Sequence, residues 1–230
     1  MKKIAVPEEV VAVSKALAEA GFEAYLVGGC VRDMLLAREP KDWDVATDAK
    51  PAEVQKLFPE SVYENDFGTV GIKTESEDPR LKIIEVTTYR IESEYTDKRH
   101  PDEVKFAANI EDDLSRRDFT VNALAMDMKG DVIDPFGGER DIKDRTLRTV
   151  GAPEERFSED ALRLMRAVRF SVELDFEIEM NTRRAIVHLA GGLEAIAKER
   201  VRDELVKILM TPNAAKGIIL LEELDLLRYV

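Results

Sequence analysis

Asp42 and Asp44 stand two residues apart in the segment KDWDVAT, which has β character. Side chains alternate along a strand, so carboxylates at this spacing share one face while Trp43 and Val45 turn to the other, toward the core. Adjacent like charges repel unless a cation sits between them. Paired carboxylates are donors that hard Mg²⁺ prefers, its shell being completed by waters and substrate phosphates. A solvated strand end beside a turn gives the same letters, so the pair gains meaning only from its surroundings. Upstream, Gly28 and Gly29 separate an apolar strand from a helix. Missing side chains there let a phosphate reach backbone N–H groups, and the helix dipole favours the anion. Plain tight-turn geometry is the other explanation of a Gly-Gly pair. Arg32 follows on the first turn and can fork onto phosphate oxygens. The Lys-Ser/Thr pair of a P-loop is missing from this turn. Glu85, in IIEVTT on a neighbouring strand, is either a third carboxylate of the group or an ordinary strand-end glutamate.

A second set lies in SEDALRLMRAVRFSV, residues 158–172. Ser158 reads as an N-cap with acidic residues in the first turn after it. At helical spacing Ala161, Met165, Val168 and Val172 form one apolar stripe, the expected buried face. Asp160, Arg163, Arg166 and Arg169 occupy the opposite arc and span roughly 13 to 14 Å, about the reach of a nucleoside triphosphate. Glu159 sits one turn before Arg163 and can orient its guanidinium. A solvated polar face is the plain alternative, but beyond its opening acids this arc holds arginine only, the residue suited to planar bidentate recognition.

A carboxylate beside a guanidinium offers an acceptor next to donors. Cytosine and adenine each present an amino donor beside a ring-nitrogen acceptor, which matches the Asp160–Arg163 pair. Uracil and guanine place a carbonyl and an N–H there instead and meet repulsion, and unpaired buried polar groups reject a ligand strongly.

The elements that must position these groups are legible as well. A first helix starts at Pro7, repeats at Val10, Val13, Ala16 and Leu17, and ends at Gly21. FEAYLV reads as a buried strand, CVRDMLLA as a helix, WDVAT as a strand and PAEVQKLF as a helix with Pro51 at its start. GTVGIKT and LKIIEVTTYR form a strand pair around the turn ESEDP. RIESEYTDKRHPDEVKF, 90–106, reads as a long charged surface loop. ALAMDMKGDVIDPFGG reads as a hairpin turning at Lys129-Gly130-Asp131. From Pro153 onward the pattern is helical. The expected fold is α+β: a mixed or antiparallel sheet flanked by helices over 1–150, followed by an all-α domain over 151–230. The apolar helical end LEELDLLRYV suggests a longer protein.

With 230 residues the chain has room for a real core, and its hydrophobic fraction of 44% and charged fraction of 35% are those of a globular domain. No apolar run approaches a membrane span, and the N-terminus lacks the apolar core of a signal peptide. One cysteine, Cys30, excludes a disulfide framework and suits a reducing cytoplasm. With two histidines and one cysteine a zinc site is not expected. The net charge of −13 argues against broad nonspecific nucleic-acid binding, though a local basic surface remains compatible with it.

Taken in order, LVGGCVRDMLL with KDWDVAT, RRDFTVNALAMD at 116–127, DPFGGERDI at 134–142, RFSEDALRLMRAVRF at 156–170 and KERVRDELVKIL at 198–209 resemble the class II tRNA CCA-adding enzyme and bacterial poly(A) polymerase family of DNA polymerase β-type nucleotidyltransferases. Five ordered blocks cover nearly the whole chain. The resemblance implies a two-metal Mg²⁺ site at Asp42 and Asp44 as catalytic residues. It implies nucleotide binding by Gly28, Gly29, Arg32, Arg117, Asp160, Arg163, Arg166 and Arg169, with EDxxR, residues 159–163, as a protein template for C and A. Asp118 and Asn122 are then candidates for holding the ribose, though Asp118 also suits a helix cap. Lys198, Glu199 and Arg200 fall in a block that braces the neck, and His100 and His188 are incidental.

The implied partners are CTP, ATP and the tRNA 3′ end; no membrane is expected, and no protein partner is deducible. The 90–106 loop, which CC-adding relatives lack, and the absence of a basic GRRF-like segment in FGTVGIKT favour CCA addition. A-only addition, poly(A) tailing and a degenerate nucleotide- or RNA-binding module are the alternatives.

Overall fold

The computed structural model describes residues 4–63, 68–92 and 104–230. The described chain divides into two compact units. The first holds the residues up to Glu92 together with Val104–Arg117 and Val121–Glu139; the second holds Asp118–Thr120 and Arg140–Val230.

In the first unit, helix α1 (Glu8–Glu19) opens behind Pro7, carries Glu8 and Glu9 in its first turn and buries Val10, Val13 and Leu17. Early acids complement the helix dipole, and the buried spacing is that of one helical face. There follow β1 (Tyr25–Val27), α2 (Gly29–Leu35), β2 (Asp44–Thr47), α3 (Pro51–Leu57), β3 (Ser61–Tyr63), β4 (Thr69–Lys73), β5 (Ile83–Thr88), β6 (Arg90–Glu92), β7 (Val104–Phe106), α4 (Ile110–Ser115), β8 (Ala125–Met126) and β9 (Val132–Ile133).

Among the described residues, seven of these strands make one sheet in the order β3-β4-β5-β2-β1-β8-β9. β2 and β5 run parallel, while the other neighbours are antiparallel, so the sheet is mixed as expected. Leu26, Val45, Ala46, Val70, Ile84 and Val86 are fully buried at its centre. β5 alternates as its sequence demands, with Ile84, Val86 and Thr88 inside and Glu85 outside. The hairpin predicted within ALAMDMKGDVIDPFGG is present as β8 paired with β9, with Gly130 at φ +93° in its turn.

Two sequence readings need correction in this unit. Asp42 lies in a bend ahead of β2, so only Asp44 of the pair belongs to the strand. The segment 90–106 is not loop at its ends: Arg90–Glu92 and Val104–Phe106 pair antiparallel, which satisfies backbone groups that a loop would leave to water. Residues 93–103, where the rest of that expectation falls, lie outside the described residues.

Helix α5 (Gly138–Lys143) starts where the Asp134 carboxylate accepts from the backbone N–H of Gly138 at 2.7 Å and of Glu139 at 3.0 Å. The second unit contains β10 (Thr146–Leu147), α6 (Pro153–Glu159), α7 (Leu162–Leu174), β11 (Glu177–Ile178), α8 (Met180–Leu189), α9 (Lys198–Leu209) and α10 (Ala214–Glu223). α7 packs on α9 and α10, and α6 packs on α8. Gly217 of α10 lets that helix close in: an added methyl would collide with Ile208 of α9 and touch Val172 of α7.

The unit is not wholly helical, because β10 and β11 pair in parallel; strands of two residues carry no periodicity to read. Nor does Ser158 cap the arginine helix. Pro153, Glu154 and Glu155 start α6 earlier, so Ser158 falls inside that helix, its Oγ donating to the Glu154 carbonyl at 2.7 Å. The chain breaks at Asp160 (φ −142°, ψ 104°). Asp160 Oδ1 then accepts from the N–H of Leu162 at 3.0 Å and so opens α7.

Candidate active site

The glycine turn of the first unit is built tightly. Gly28 stands at φ +73°, a conformation that disfavours any side chain, and its N–H donates to the Leu124 carbonyl at 3.0 Å. A Cβ on Gly28 would stand 2.6 Å from Arg117 Nη1, and one on Gly29 would stand 3.7 Å from Asp42 Oδ1 and 3.6 Å from Arg32 Nη2. The missing side chains therefore let two guanidiniums and one catalytic-candidate carboxylate approach the backbone of a single turn.

Neither arginine here is a loose surface group. Arg32 is buried; its Nε and Nη2 donate to Asp33 at 2.9 Å and its Nη1 to Asn122 Oδ1 at 2.5 Å. Asn122 thus orients Arg32 in this structure. Arg117 Nη2 meets Asp113 Oδ2 at 3.2 Å, and its Nε is buried without a partner among the described residues.

Asp44 and Glu85 are register partners across the parallel β2–β5 ladder, so the two carboxylates belong to the same sheet face. Asp42 precedes them from its exposed bend, with Trp43 and Val45 buried on the other side as the alternation predicts. Burial, then the charges of Asp42 and Glu85, push the Asp44 carboxyl up to about 7, with Arg117 pulling the other way. A carboxylate driven toward protonation by its neighbours is one that a divalent ion would relieve. Among the described residues no three His, Cys, Asp or Glu side chains gather as a metal cluster. Two carboxylates, with phosphates and waters for the rest, are a donor set that could hold Mg²⁺, and Asp42 and Asp44 are the residues that would supply it.

Beside the pair, Cys30 is fully buried, with its Sγ directed at the Val27 carbonyl, 3.2 Å away. Burial first, and the nearby charge of Asp44 second, raise the thiol to about 12.

In the second unit Ala161, Met165, Val168 and Val172 are buried as the apolar stripe predicts. The arginine arc differs from a solvated face, because each guanidinium is already met by a carboxylate. Arg163 is itself buried; its Nη1 donates to Glu159 and, at 3.0 Å, to the Arg156 carbonyl. Glu159 does therefore orient Arg163, and it binds Arg156 as well, at 2.9 Å. Arg166 donates from Nε to Asp118 Oδ2 at 2.7 Å, while Asp118 Oδ1 accepts from the N–H of Phe119 at 2.8 Å. Arg169 donates to Glu204 at 2.6 Å and to Glu173 at 3.1 Å. The Arg166 and Arg169 guanidinium carbons lie 5.2 and 4.0 Å from the Phe170 ring centroid. Asp160 Oδ2 accepts from Arg200 at 3.1 Å, so Arg200 braces the segment that opens α7 directly.

Lys198 donates to the Tyr229 carbonyl at 3.0 Å, consistent with a bracing block. His188 is exposed at the end of α8, and His100 lies outside the described residues.

Sequence reasoning missed two acids, Asp113 and Glu204. Asp113 is 1% exposed and accepts from Arg116 at 2.8 Å and from Arg117 at 3.2 Å. Its signal was local, since the two arginines follow three and four residues later on the same helical face. Glu204 is 3% exposed and shares the inward stripe of α9 with Val201 and Ile208. An acid at an apolar helical position was the mark to follow.

With this geometry in view, the chain can be set against known proteins. Residues 24–148 match the family model described as the poly A polymerase head domain, and residues 175–230 match one described as a probable RNA and SrmB-binding site of polymerase A. The chain belongs to the poly A polymerase head domain family. Nucleotidyltransferases of this superfamily generally use divalent metals.

Among individual proteins, it is 44% identical over 224 residues to the CCA-adding enzyme of Geobacillus kaustophilus, covering 97% of this chain and 54% of the relative. It is 46% identical to that of Lactococcus lactis subsp. cremoris, covering 100% of this chain and 58% of the relative. The crystal structure of the Bacillus stearothermophilus CCA-adding enzyme in complex with CTP superposes with a TM-score of 0.88 at 43% identity, over 97% of this chain and 53% of that one. The Thermotoga maritima CCA-adding enzyme complexed with tRNA_CCA gives 0.79 at 28%, again over 97% and 53%. The fold is thus that of a nucleotidyltransferase head. The chain spans about half the length of the curated relatives it matches. No helix among the described residues is long and apolar enough to cross a membrane.

Proposed function

We propose that this chain is the catalytic head and neck of a template-independent tRNA nucleotidyltransferase that adds CMP and AMP, taken from CTP and ATP, to the tRNA 3′ end with release of pyrophosphate. One observation carries the reading. Asp42 and Asp44 lie beside a glycine turn that also gathers Arg32 and Arg117, and Asp44 stands in register with a further acid, Glu85. Carboxylates pressed together next to donors for a phosphate are the parts that in-line nucleotidyl transfer requires. The likeness to a CCA-adding enzyme solved with CTP supports the same reading.

The division of labour follows the residue chemistry, with a catalytic head over 1–150 and a neck over 151–230 that leads into a body domain. A pair of Mg²⁺ ions at such a site supplies the charge that activates an RNA 3′-OH and stabilises departing pyrophosphate. Asp42 and Asp44 would hold them. The backbone of Gly28 and Gly29 and the guanidiniums of Arg32 and Arg117 orient the phosphate oxygens. Asp160 accepts from the exocyclic amino group of cytosine or adenine while Arg163 donates to the ring acceptor. Arg200 and Glu159 hold those two side chains in place. Arg166 and Arg169 bind the remainder of the nucleotide. Such a protein, with tRNA as its substrate, belongs in the cytoplasm.

The deciding experiment offers the chain a tRNA ending at the discriminator base, with each nucleotide alone and then with CTP and ATP together. Extension by CC with CTP, and by CCA with both, is the expected result. Growth by A alone or by a poly(A) tail would replace CCA addition with one of those activities. Nucleotide binding with no extension would identify a binding module instead.

A further inference from the structure

Arg169 carries two carboxylates and an aromatic ring at once. Glu173 lies one turn along the same helix, but Glu204 comes from α9 and receives the Arg169 Nε–H at 2.6 Å. The Arg169 guanidinium also lies over Phe170. The other oxygen of Glu204 accepts from Lys207 Nζ at 2.9 Å, and Arg166 lies within the field of the same carboxylate. Glu204 occupies a position between Val201 and Ile208 that packing alone would give to an apolar residue. A buried acid there is a poor way to gain stability, because desolvation offsets most of the attraction, but it is a good way to fix a direction.

We propose that Glu204 is a positioning residue for nucleotide binding: it sets the angle of the Arg169 fork, so that the N–H donors Arg169 does not spend on Glu204 and Glu173 face the nucleotide. A guanidinium has five N–H donors in a rigid plane. Fixing its Nε–H and one Nη1–H on carboxylates therefore fixes the other three. Without Glu204 the long side chain keeps only its contacts to Glu173 and Phe170 and regains rotation about the bonds that aim it. The proposal rests on the reading of Arg169 as a nucleotide-binding residue given above.

The test measures CTP binding to the full chain in Mg²⁺ buffer by calorimetry, with thermal melting alongside. The variants are Glu204→Gln, which keeps the volume and removes the charge, Arg169→Ala, and the double substitution. Each single change should weaken CTP binding by about tenfold, the value of a charge-assisted hydrogen bond. The double variant should bind no more weakly than Arg169→Ala alone, because Glu204 acts through Arg169. CTP binding at the wild-type level in Glu204→Gln, with Arg169→Ala weakened, overturns the positioning role and leaves the assignment of Arg169 standing. Wild-type binding in Arg169→Ala overturns that assignment and the inference with it. A double variant weaker than either single one also overturns the proposal. If Glu204→Gln fails to fold, Glu204→Asp takes its place: it keeps the charge and draws it back by one methylene, and weakened binding then supports the proposal while wild-type binding overturns it.

Discussion

The proposed head and neck handle charge in opposite ways. In the head, Asp44 is crowded by Asp42 and Glu85, and its carboxyl is pushed up to about 7 by burial and by those like charges. In the neck, Arg163, Arg166 and Arg169 each meet a carboxylate of the protein itself. The first region holds electrostatic tension that a cation would relieve; the second is neutralised beforehand and gains orientation. A site that must receive a metal benefits from tension. A site that must tell one flat base from another benefits from side chains that are already aimed, since little ordering cost remains when the ligand arrives.

The sharpest way to break this contrast is at Asp42. Asp42→Ala should lower nucleotide transfer to tRNA by about a thousandfold or more, since the ion contributes several kcal/mol at the transition state. The fold should survive, and whereas Mg²⁺ should raise the melting temperature of the parent chain, it should leave that of the variant unchanged. Full transfer in this variant, or an unchanged response to Mg²⁺, would end the metal assignment.

Next in size are Asp160→Ala and Arg163→Ala, which should reduce the preference for CTP and ATP over UTP and GTP on the order of a hundredfold, read as a ratio of kcat/KM values. Selectivity equal to that of the parent chain would show that base choice lies elsewhere.

The smallest effect concerns Asp113, which differs from Asp44 within the same unit. Burial works against its ionisation, but Arg116 and Arg117 outweigh burial and hold its carboxyl below the usual range. A depressed carboxylate contributes stability that is present above its unfolded value near 4 and is lost as the pH falls through the folded one. Melting temperature should therefore drop more steeply with acid in the parent chain than in Asp113→Asn. Parallel acid limbs would contradict that account.

How much of this was legible in the sequence depends on how local each feature is. The alternation that buries Trp43 and Val45 and the stripe that buries Met165 and Val168 are short-range patterns, and they hold. The sheet pairs β4 with β5 as the turn between them implies. The errors arise where neighbours compete. Ser158 and Asp160 both have cap chemistry, and the earlier start at Pro153 decides between them. Strands β10 and β11 are too short to show a period. The pairing of Arg166 and Arg169 with distant acids was beyond reach: Asp118 is 48 residues from Arg166, and Glu204 is 35 from Arg169. An arginine series announces that anions are needed but does not say which ones the protein supplies.

The lone thiol at Cys30 sits with its side chain sealed under the glycine turn and its ionisation suppressed. An alkylating reagent such as iodoacetamide attacks only a thiolate that it can reach, so labelling of the native chain must wait for the head to open. The rate of that labelling gives a clock for local unfolding at the heart of the first unit, without any engineered probe.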